Sequence, residues 1–366
     1  MSKSRNPWKE SRVAKLLKIR YPIIQGPFGG LSSVQLVADV SNAGGMGSFG
    51  AQPLSPSEIK ETVAEIRNRT ANPFSINLWV STFDKEALSV SQQQVERSAK
   101  EIHGLFEPLN IPGQGVPSFV PSDFDAQAEA LLEARPPVAS FVFGVPPREL
   151  LNECRRRDIR TIGTATTPDE ARVLQDAGLD LVVASSFEAG GHKGSFLLSP
   201  EMSLTGLVSL VPQVVDSVTI PVIAAGGIAG SRGVAAAFIL GAEAVQIGTA
   251  FLVCKGSGIN PIYREALLST ADKVTGLTKG FTGRLARGIR NRLFEELENS
   301  PEKHLPYPLQ RNLLGLYTHA AIELERADLL PMWAGQSAPL IEHLDVESLM
   351  RSLIEDVAQI FQQFSL

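Results

Sequence analysis

Cysteine and excess positive charge are both scarce in this sequence of 366 residues. The two cysteines, Cys154 and Cys254, form neither a CxxC motif nor a zinc-ligand spacing, so we expect no metal site. Lysine and arginine number 34 against 39 aspartates and glutamates, which gives a formal net charge of -5. We therefore expect no nucleic acid partner, and the few thiols are compatible with a reducing, cytoplasmic setting.

Long apolar runs are missing as well. Residues 1–22 are polar and lack the apolar core of a signal peptide. The most apolar stretch, Val234 to Val253, is interrupted by Glu243, Gln246 and glycines, which indicates a buried helix and then a buried strand. No membrane partner is expected. Hydrophobic residues nevertheless reach 43%, against 20% charged, which predicts a folded chain with a large core.

Eight short apolar runs are spaced along the chain: Tyr21–Gly30, Met46–Ala51, Phe74–Val80, Val138–Gly144, Arg160–Thr166, Leu179–Ser186, Ile220–Ile228 and Ala244–Leu252. They are nearly continuous in apolar character, as are strands buried on both faces of a parallel sheet. Helical patterns such as Pro168–Gly178 and Ser231–Ala242 fill most gaps. The pattern predicts an α/β fold, a (β/α)₈ TIM barrel. An open doubly wound sheet is the alternative, although no GxGxxG motif follows an early strand.

Two gaps are too long for one helix. Residues 81–137 are expected to hold helices at 91–109 and 125–136 around a loop at 111–124. The stretch after the eighth strand carries the basic run Lys279–Leu293. We expect residues 1–253 to form the barrel and residues 254–331 an inserted lid or substrate-binding segment. Residues 332–366 would then return to the barrel through the amphipathic helix Asp345–Phe364.

Glycine-rich turns follow the seventh and eighth predicted strands. Gly226 and Gly227 end one strand, and Gly248 and Thr249 end the next. Glycines let backbone N–H groups approach an anion, and the N-terminus of a following helix favours negative charge there. Phosphate sites of barrels usually lie after the last two strands. The turns predict a phosphate site for FMN, a sugar phosphate or another nucleotide, unless the glycines only permit tight turns.

Two further strand ends could bind the rest of such a cofactor. Residues Gln25–Gly30 include Gly26, Pro27 and Phe28, and would give a flat backbone wall for an isoalloxazine ring. Asn77, at the end of the third strand, has an amide that could pair with a pyrimidine edge. A satisfied polar residue at a strand end is an equally good interpretation of Asn77.

The glycine-rich segment Ser185–Pro200 follows the sixth predicted strand and contains His192. We predict a catalytic role for His192, because an imidazole can act as base, acid or hydrogen-bond donor near neutral pH. Anchoring of the loop is the alternative. Lys193 is expected to be a solvated loop charge. Surface or capping roles are expected for the remaining histidines, His103, His304, His319 and His343.

The sequence resembles the nitronate monooxygenases, formerly called 2-nitropropane dioxygenases, and within them class I. The resemblance rests on YPIIQGPFGG, FSINLWV, FEAGGHKGSF, PVIAAGGI, VQIGTAFL, FTGRLARGIRN and MWAGQ. It implies an FMN-containing barrel with a substrate lid. It also implies small-molecule partners: an alkyl nitronate or nitroalkane, notably propionate 3-nitronate, and O₂, converted to a carbonyl compound and nitrite or nitrate.

The resemblance places the catalytic histidine at His192. The predicted FMN contacts, from the resemblance and the strand ends together, are Gly26, Pro27, Phe28, Asn77, Ser185, Gly190, Gly191, Gly226, Gly227, Gln246, Ile247, Gly248 and Thr249. Two positions depart from the family: Phe28 replaces a usual Met, and Ser185-Ser186 replaces Gln-Gly. A serine reaches less far than a glutamine amide, so a flavin hydrogen bond there would be shorter, water-mediated or absent.

Several alternatives stay open at the level of sequence. His192 could bind an anionic nitronate as imidazolium or take the α-proton of a neutral nitroalkane. The basic residues Lys279, Arg284, Arg287 and Arg290 could attract a carboxylated nitronate or form a solvated or interface face. On the same barrel, an FMN-dependent enoyl-acyl carrier protein reductase, an NAD(P)H:quinone reductase, a phosphosugar isomerase or aldolase, or a non-catalytic flavin-binding or phosphate-binding protein would fit. The oligomeric state is open, with a homo-oligomer among the alternatives.

Overall fold

The computed structural model describes residues 11–111, 115, 122–269, 274–301 and 304–363. Its strands, in chain order, are β1 (Ile23–Gln25), β2 (Gly47–Gly50), β3 (Phe74–Trp79), β4 (Val138–Val142), β5 (Arg160–Ala165), β6 (Leu181–Ser185), β7 (Gly191–His192), β8 (Val222–Ala225), β9 (Ala244–Ile247), β10 (Thr275–Thr278) and β11 (Ala286–Ile289). Eight of them form one parallel sheet in the order β1-β9-β8-β6-β5-β4-β3-β2. The short strands β10, β11 and β7 form a second, antiparallel sheet in that order.

The large sheet closes on itself between β1 and β2. Ile24 of β1 bridges Met46, the residue before β2. The N–H of Gln25 donates to Met46 O at 2.9 Å, and the N–H of Met46 donates to Ile23 O at 3.0 Å. The predicted (β/α)₈ barrel is therefore confirmed, with one barrel strand inside each of the eight predicted runs, and the open-sheet alternative is wrong.

Helices connect the strands and continue after the barrel: Arg12–Leu17, Val34–Asn42, Pro56–Arg69, Gln92–Phe106, Phe124–Ala134, Arg148–Arg156, Pro168–Ala177, Leu207–Ser217, Ser231–Ile239, Thr249–Leu252, Pro261–Leu268, Arg292–Glu298, Leu309–Glu323 and Val346–Gln363. The helix Pro168–Ala177 shows why they form where predicted. The Thr167 hydroxyl caps its first turn by accepting from Glu170 N, and Gly178 ends it with a φ of 94°.

The N-terminal helix Arg12–Leu17 covers the end of the barrel opposite the carboxyl ends of the strands. Its buried residues Val13 and Leu17 belong to one hydrophobic cluster with barrel residues such as Val138, Ile162 and Leu181, which lie at or near the starts of their strands. That end of the barrel is therefore filled by side chains. The carboxyl ends of the strands, where barrel enzymes carry their active sites, are left for function.

The chain after the barrel packs as a second hydrophobic cluster with a helix inserted between β3 and β4. Buried residues of the inserted helix Gln92–Phe106 share this cluster with the helices Pro261–Leu268, Arg292–Glu298 and Leu309–Glu323. The division into residues 1–253, 254–331 and 332–366 stays a prediction. Most of the loop predicted at 111–124 lies outside the described residues.

The final helix returns to the barrel wall, as its amphipathic pattern predicts. Val346–Gln363 buries Leu349, Leu353 and Val357 in the main core and packs against the helix Ser231–Ile239. The apolar stretch that ends at Val253 divides into that helix, β9 and the short helix Thr249–Leu252. None of the described helices has the length and apolar character needed to cross a bilayer.

Candidate active site

A cavity opens at the carboxyl ends of the barrel strands. The predicted site residues that line it are Gly26, Pro27, Phe28, Asn77, Ser185, Gly190, Gly191, His192, Gly226, Gly227, Gln246, Gly248 and Thr249. Ile247 is different, because its side chain lies in the main core while its carbonyl accepts from Gly26 N–H at 2.9 Å. Residues from the ends of five barrel strands thus meet at one site, and their roles toward a cofactor stay predictions.

The turn after β8 has the geometry of an anion cradle. Gly226 and Gly227 adopt φ values of 97° and 71°, which favour glycine. A Cβ at Gly226 would collide with Ser186 Oγ, and one at Gly227 would lie 2.8 Å from Glu188 Oε2. Both the positive φ values and the close contacts disfavour a side chain at these two positions. The backbone N–H groups could therefore contact a ligand directly. These residues fit a phosphate group such as that of FMN.

The tail segment MWAGQ closes over the second glycine turn. Thr249 Oγ1 accepts from the N–H of Gly335 at 2.9 Å, and Gly335 and Ser337 both line the cavity. A Cβ at Gly190 would lie 2.7 Å from the backbone of Ala334 and Gly335, so this loop and the histidine loop touch through their backbones. MWAGQ carries part of the resemblance to the family, but none of its residues was among the predicted site residues.

Two positions that depart from the family pattern both border the cavity. Phe28 lines it beside Gly248, and Ser185 lines it at the end of β6. Ser186 is buried, and its hydroxyl donates to Glu188 Oε2 at 3.0 Å. Asn77 lines the cavity while its amide nitrogen donates to Ser140 Oγ at 3.0 Å. Asn77 thus has a protein partner and still faces the space where a ligand would bind.

His192 lies in β7, which pairs with β11 from the tail rather than with the barrel. Its partner across the two strands is Ala286. Its Nε2 lies 2.9 Å from Thr282 Oγ1. Four aromatic rings surround the imidazole, with centroid distances of 5.1 to 6.2 Å: Trp79, Phe143, Tyr307 and Trp333. The predicted catalytic residue is therefore held in a mostly apolar pocket at the cavity wall.

This environment keeps His192 uncharged. Burial and then the positive charges of Arg284, Arg311 and Lys193 lower the pKa of His192 from 6.5 to about 3. The ring is neutral at pH 7, which argues against the imidazolium interpretation. The neutral ring has the free lone pair that a base needs, but a pKa of about 3 makes it a weak proton acceptor, so this shift does not favour the base interpretation.

Lys193 is buried, so its prediction as a solvated loop charge is wrong. Only 5% of the residue is exposed, and its Nζ donates to Ala189 O at 2.6 Å. Burial and then the charge of Arg287 lower its pKa to about 7. The cause is the pairing of β7 with β11, which covers a loop that would otherwise face solvent.

The basic residues of the tail are engaged with partners. Arg284 and Arg287 are buried, so the solvated-face interpretation is wrong for these two. Arg284 Nε donates to Asp84 Oδ1 at 2.7 Å, and Arg287 Nε donates to Phe187 O at 2.9 Å. The exposed pairs are Lys279 with Glu201 and Arg290 with Glu295. Substrate attraction by these four residues gains no support from this arrangement.

Several cavity residues were not predicted from the sequence: Gln52, Trp79, Phe143, Thr282, Tyr307, Arg311 and Trp333. For Trp79 a signal existed, because it follows Asn77 by two positions at the same strand end. Tyr307 and Arg311 offer no such signal, since they reach the cavity only through the docking of the tail. Gln52 Nε2 donates to Tyr307 Oη at 3.0 Å, which joins the barrel to that tail.

The other histidines lie away from the cavity lining. His304 Nε2 lies 3.0 Å from Leu297 O at the end of the helix Arg292–Glu298, which confirms a capping role there. His319 is exposed and lies near Glu323. His103 is partly buried beside Tyr317, at a ring-centroid distance of 6.3 Å, and lies in the last turn of its helix, so its surface or capping role stays a prediction.

Comparison with known proteins adds the family context. The family model described as "Nitronate monooxygenase" matches residues 10–356. A curated protein named "Probable nitronate monooxygenase", from Staphylococcus aureus (strain Newman), is 36% identical over 97% of this chain and 99% of its own length. The match thus covers the barrel, the histidine loop and the tail together.

Two solved structures are also similar to this chain over nearly its whole length. A structure of nitroalkane oxidase from Streptomyces ansochromogenes is 34% identical, with a TM-score of 0.87, and covers 96% of this chain and 99% of that one. A structure of FabK from Thermotoga maritima is 28% identical, with a TM-score of 0.75, over 97% of this chain and 98% of that one. The likeness to the first is greater in both sequence and structure.

Proposed function

The chain belongs to the nitronate monooxygenase family, and we propose that it uses FMN to oxidise alkyl nitronates, such as propionate 3-nitronate, with O₂. The products would be a carbonyl compound and nitrite or nitrate. The observation that carries this proposal is that His192, enclosed by aromatic rings, lies in the same cavity as the glycine turns after β8 and β9.

FMN fits the residues that are present. Gly226, Gly227, Gly248 and Thr249 would hold its phosphate, because their N–H groups lie at two strand ends where bulkier residues are excluded or absent. Asn77 and Gln246 would face the isoalloxazine ring across the cavity. When bound, FMN would supply the redox centre through which electrons pass from the nitronate to O₂.

The chain's own residues would position the substrate and manage its proton. In this proposal the aromatic rings around His192 would shield the reacting carbon from water, and Thr282 would hold the imidazole through Nε2. A nitronate has already lost its α-proton, so it needs no base. A neutral nitroalkane would have to give that proton to the uncharged ring of His192.

The decisive experiment measures oxygen uptake by the FMN-loaded protein with propionate 3-nitronate in the absence of NAD(P)H. Uptake with release of nitrite or nitrate is expected. His192→Asn should slow turnover of neutral nitroalkanes far more than turnover of nitronates, and equal losses on both would exclude the base role. If no uptake occurs while NADH or NADPH bleaches the flavin anaerobically, the proposal is wrong and the protein is a reductase.

The reductase alternative rests on a more distant likeness. The similarity to FabK from Thermotoga maritima, at 28% identity, is weaker than that to nitroalkane oxidase, at 34%. An enoyl-acyl carrier protein reductase or a quinone reductase would need a reduced nicotinamide as donor. The anaerobic bleaching test therefore separates this alternative from the nitronate reaction.

A further inference from the structure

Two cations are buried behind the loop of residues 187–190, and the proposed reaction uses neither of them. Lys193 is 5% exposed and Arg287 is 3% exposed. Neither is among the described residues that line the cavity. Within the described part of the chain, their hydrogen bonds go to carbonyl oxygens and one hydroxyl, and none goes to a carboxylate. Burial of unpaired charge is costly, so these two cations need an anion close by.

Both cations bind carbonyl groups next to Glu188 in the chain. Lys193 Nζ donates to Ala189 O at 2.6 Å and to Phe187 O at 3.4 Å. Arg287 Nε donates to Phe187 O as well, at 2.9 Å. The two positive charges therefore hold one short stretch of backbone, and this stretch reaches the cavity wall at Ala189.

The same stretch packs against the glycine turn after β8. A Cβ on Gly226 would lie 2.8 Å from Ala189 N, and a Cβ on Gly227 would lie 2.8 Å from Glu188 Oε2. The loop thus contacts the turn that would hold the phosphate of FMN, with no room for a side chain between them. The Glu188 carboxylate lies on the side of this turn where Lys193 and Arg287 also act.

The three charged groups influence one another. Burial lowers the pKa of Lys193, the charge of Arg287 lowers it further, and the Glu188 carboxylate opposes both effects. Burial also lowers the pKa of Arg287, again opposed by Glu188. Two positive charges against one negative charge leave an excess of one positive charge behind the turn. A phosphomonoester carries a charge of about -1.5 to -2 at pH 7 and is attracted by such a charge, which water and salt screen little at buried sites.

We propose that Lys193 and Arg287 are positioning residues for the cofactor, which hold residues 187–190 against the glycine turn and give that side of the turn the positive charge that the FMN phosphate needs. The proposal rests on the proposed use of FMN and goes beyond it, because it assigns selectivity for a phosphorylated flavin to side chains outside the cavity. Riboflavin has the same ring system but no phosphate, so its binding should not depend on these charges.

The flavin affinity of the full-length protein tests the proposal without turnover. The purified protein is freed of flavin, and FMN or riboflavin is then titrated in while flavin fluorescence is recorded. Wild type should bind FMN more tightly than riboflavin. Lys193→Met should raise the Kd for FMN by about 10- to 100-fold and leave the Kd for riboflavin within about 3-fold. Lys279→Met, which removes an exposed lysine paired with Glu201, is the matched control and should change neither Kd.

Arg287 and Glu188 provide independent tests, which also decide the matter if Lys193→Met fails to fold. Arg287→Met should weaken FMN binding selectively, and Arg287→Lys, which keeps the charge, should retain most of the affinity. Glu188→Gln should have the opposite effect and lower the Kd for FMN by about 3- to 10-fold, because a negative charge beside the turn is removed. The glutamine still offers an oxygen to Ser186 Oγ and Leu207 N, which donate to Glu188 Oε2 at 3.0 Å.

Equal losses of FMN and riboflavin affinity in Lys193→Met would overturn the proposal, because they would mean that the lysine only keeps the loop folded. Weaker FMN binding in Glu188→Gln would overturn it too, since removal of the negative charge would then not help the phosphate. If wild type binds riboflavin as tightly as FMN, no phosphate is held at the turn and the assignment is wrong. If wild type prefers FMN through Lys193 but consumes no nitronate, the proposed reaction fails while this assignment stands.

Discussion

The hydroxyl oxygen of Thr282 lies 2.9 Å from Nε2 of His192, across ninety positions of the chain. Thr282 precedes β11, the strand whose Ala286 pairs with His192. The stretch after the barrel therefore supplies both the backbone partner and the side-chain partner of the predicted catalytic histidine. The barrel positions the glycine turns, and the tail completes the site.

Removal of the Thr282 hydroxyl should impair the enzyme through His192. Thr282→Val keeps the shape but leaves a ring nitrogen of a buried imidazole without its partner, which costs about 1–3 kcal/mol. We expect kcat with nitroalkanes to fall while FMN content is retained. Thr282→Ser, which keeps the hydroxyl, should restore turnover. If Val and Ser variants behave alike, the hydrogen bond does not position His192.

The stability of the protein should depend on pH through His192. Between the unfolded pKa of 6.5 and the folded value of about 3, the unfolded chain binds a proton that the folded chain does not. Stability should therefore fall as the pH decreases through this window, by up to about 1.4 kcal/mol per pH unit from this group. Urea unfolding at pH 7 and pH 5 should show a larger loss for wild type than for His192→Asn. Identical losses would mean that His192 titrates normally.

Alanine at the turn after β8 should abolish cofactor binding. Gly227→Ala places a Cβ 2.8 Å from Glu188 Oε2 on a backbone with a φ of 71°, which strains the turn. We expect the purified variant to lose its flavin absorbance. Gly104→Ala is the control, since this glycine lies in the helix Gln92–Phe106 with open space around it. Full FMN occupancy in Gly227→Ala would remove this turn from the phosphate site.

The ion pair of Arg284 with Asp84 should hold the tail to the barrel. Arg284→Met leaves the Asp84 carboxylate unpaired, and we expect a loss of about 3 kcal/mol, at the low end for buried pairs because Asp84 is partly exposed. The double variant with Asp84→Asn should lose less than the sum of the single variants. Strict additivity in this cycle, measured by denaturant unfolding, would show that the two side chains do not interact energetically.

The local sequence was enough to predict the barrel strands and the residues at their carboxyl ends, which line the cavity. Strands buried on both faces need unbroken apolar runs, so each run marked a barrel strand, and the glycine turns marked strand ends that must meet at one rim. His192 could be selected for the same reason, because it follows β6 within a glycine-rich loop. These predictions depend only on neighbours in the chain and on the closed order of the barrel.

The tertiary structure decided how the rest of the site is built. The sequence predicts a solvated loop charge at Lys193, yet this residue is buried because β11 pairs with β7. Arg284 was a candidate for attracting a substrate, yet it pairs with Asp84, whereas Arg311, which the sequence analysis did not single out, lines the cavity. Burial and partner choice at these positions arise from contacts between distant segments. The sequence alone determined which residues end the barrel strands, whereas docking of the tail determined which charged side chains line the cavity and which are paired elsewhere.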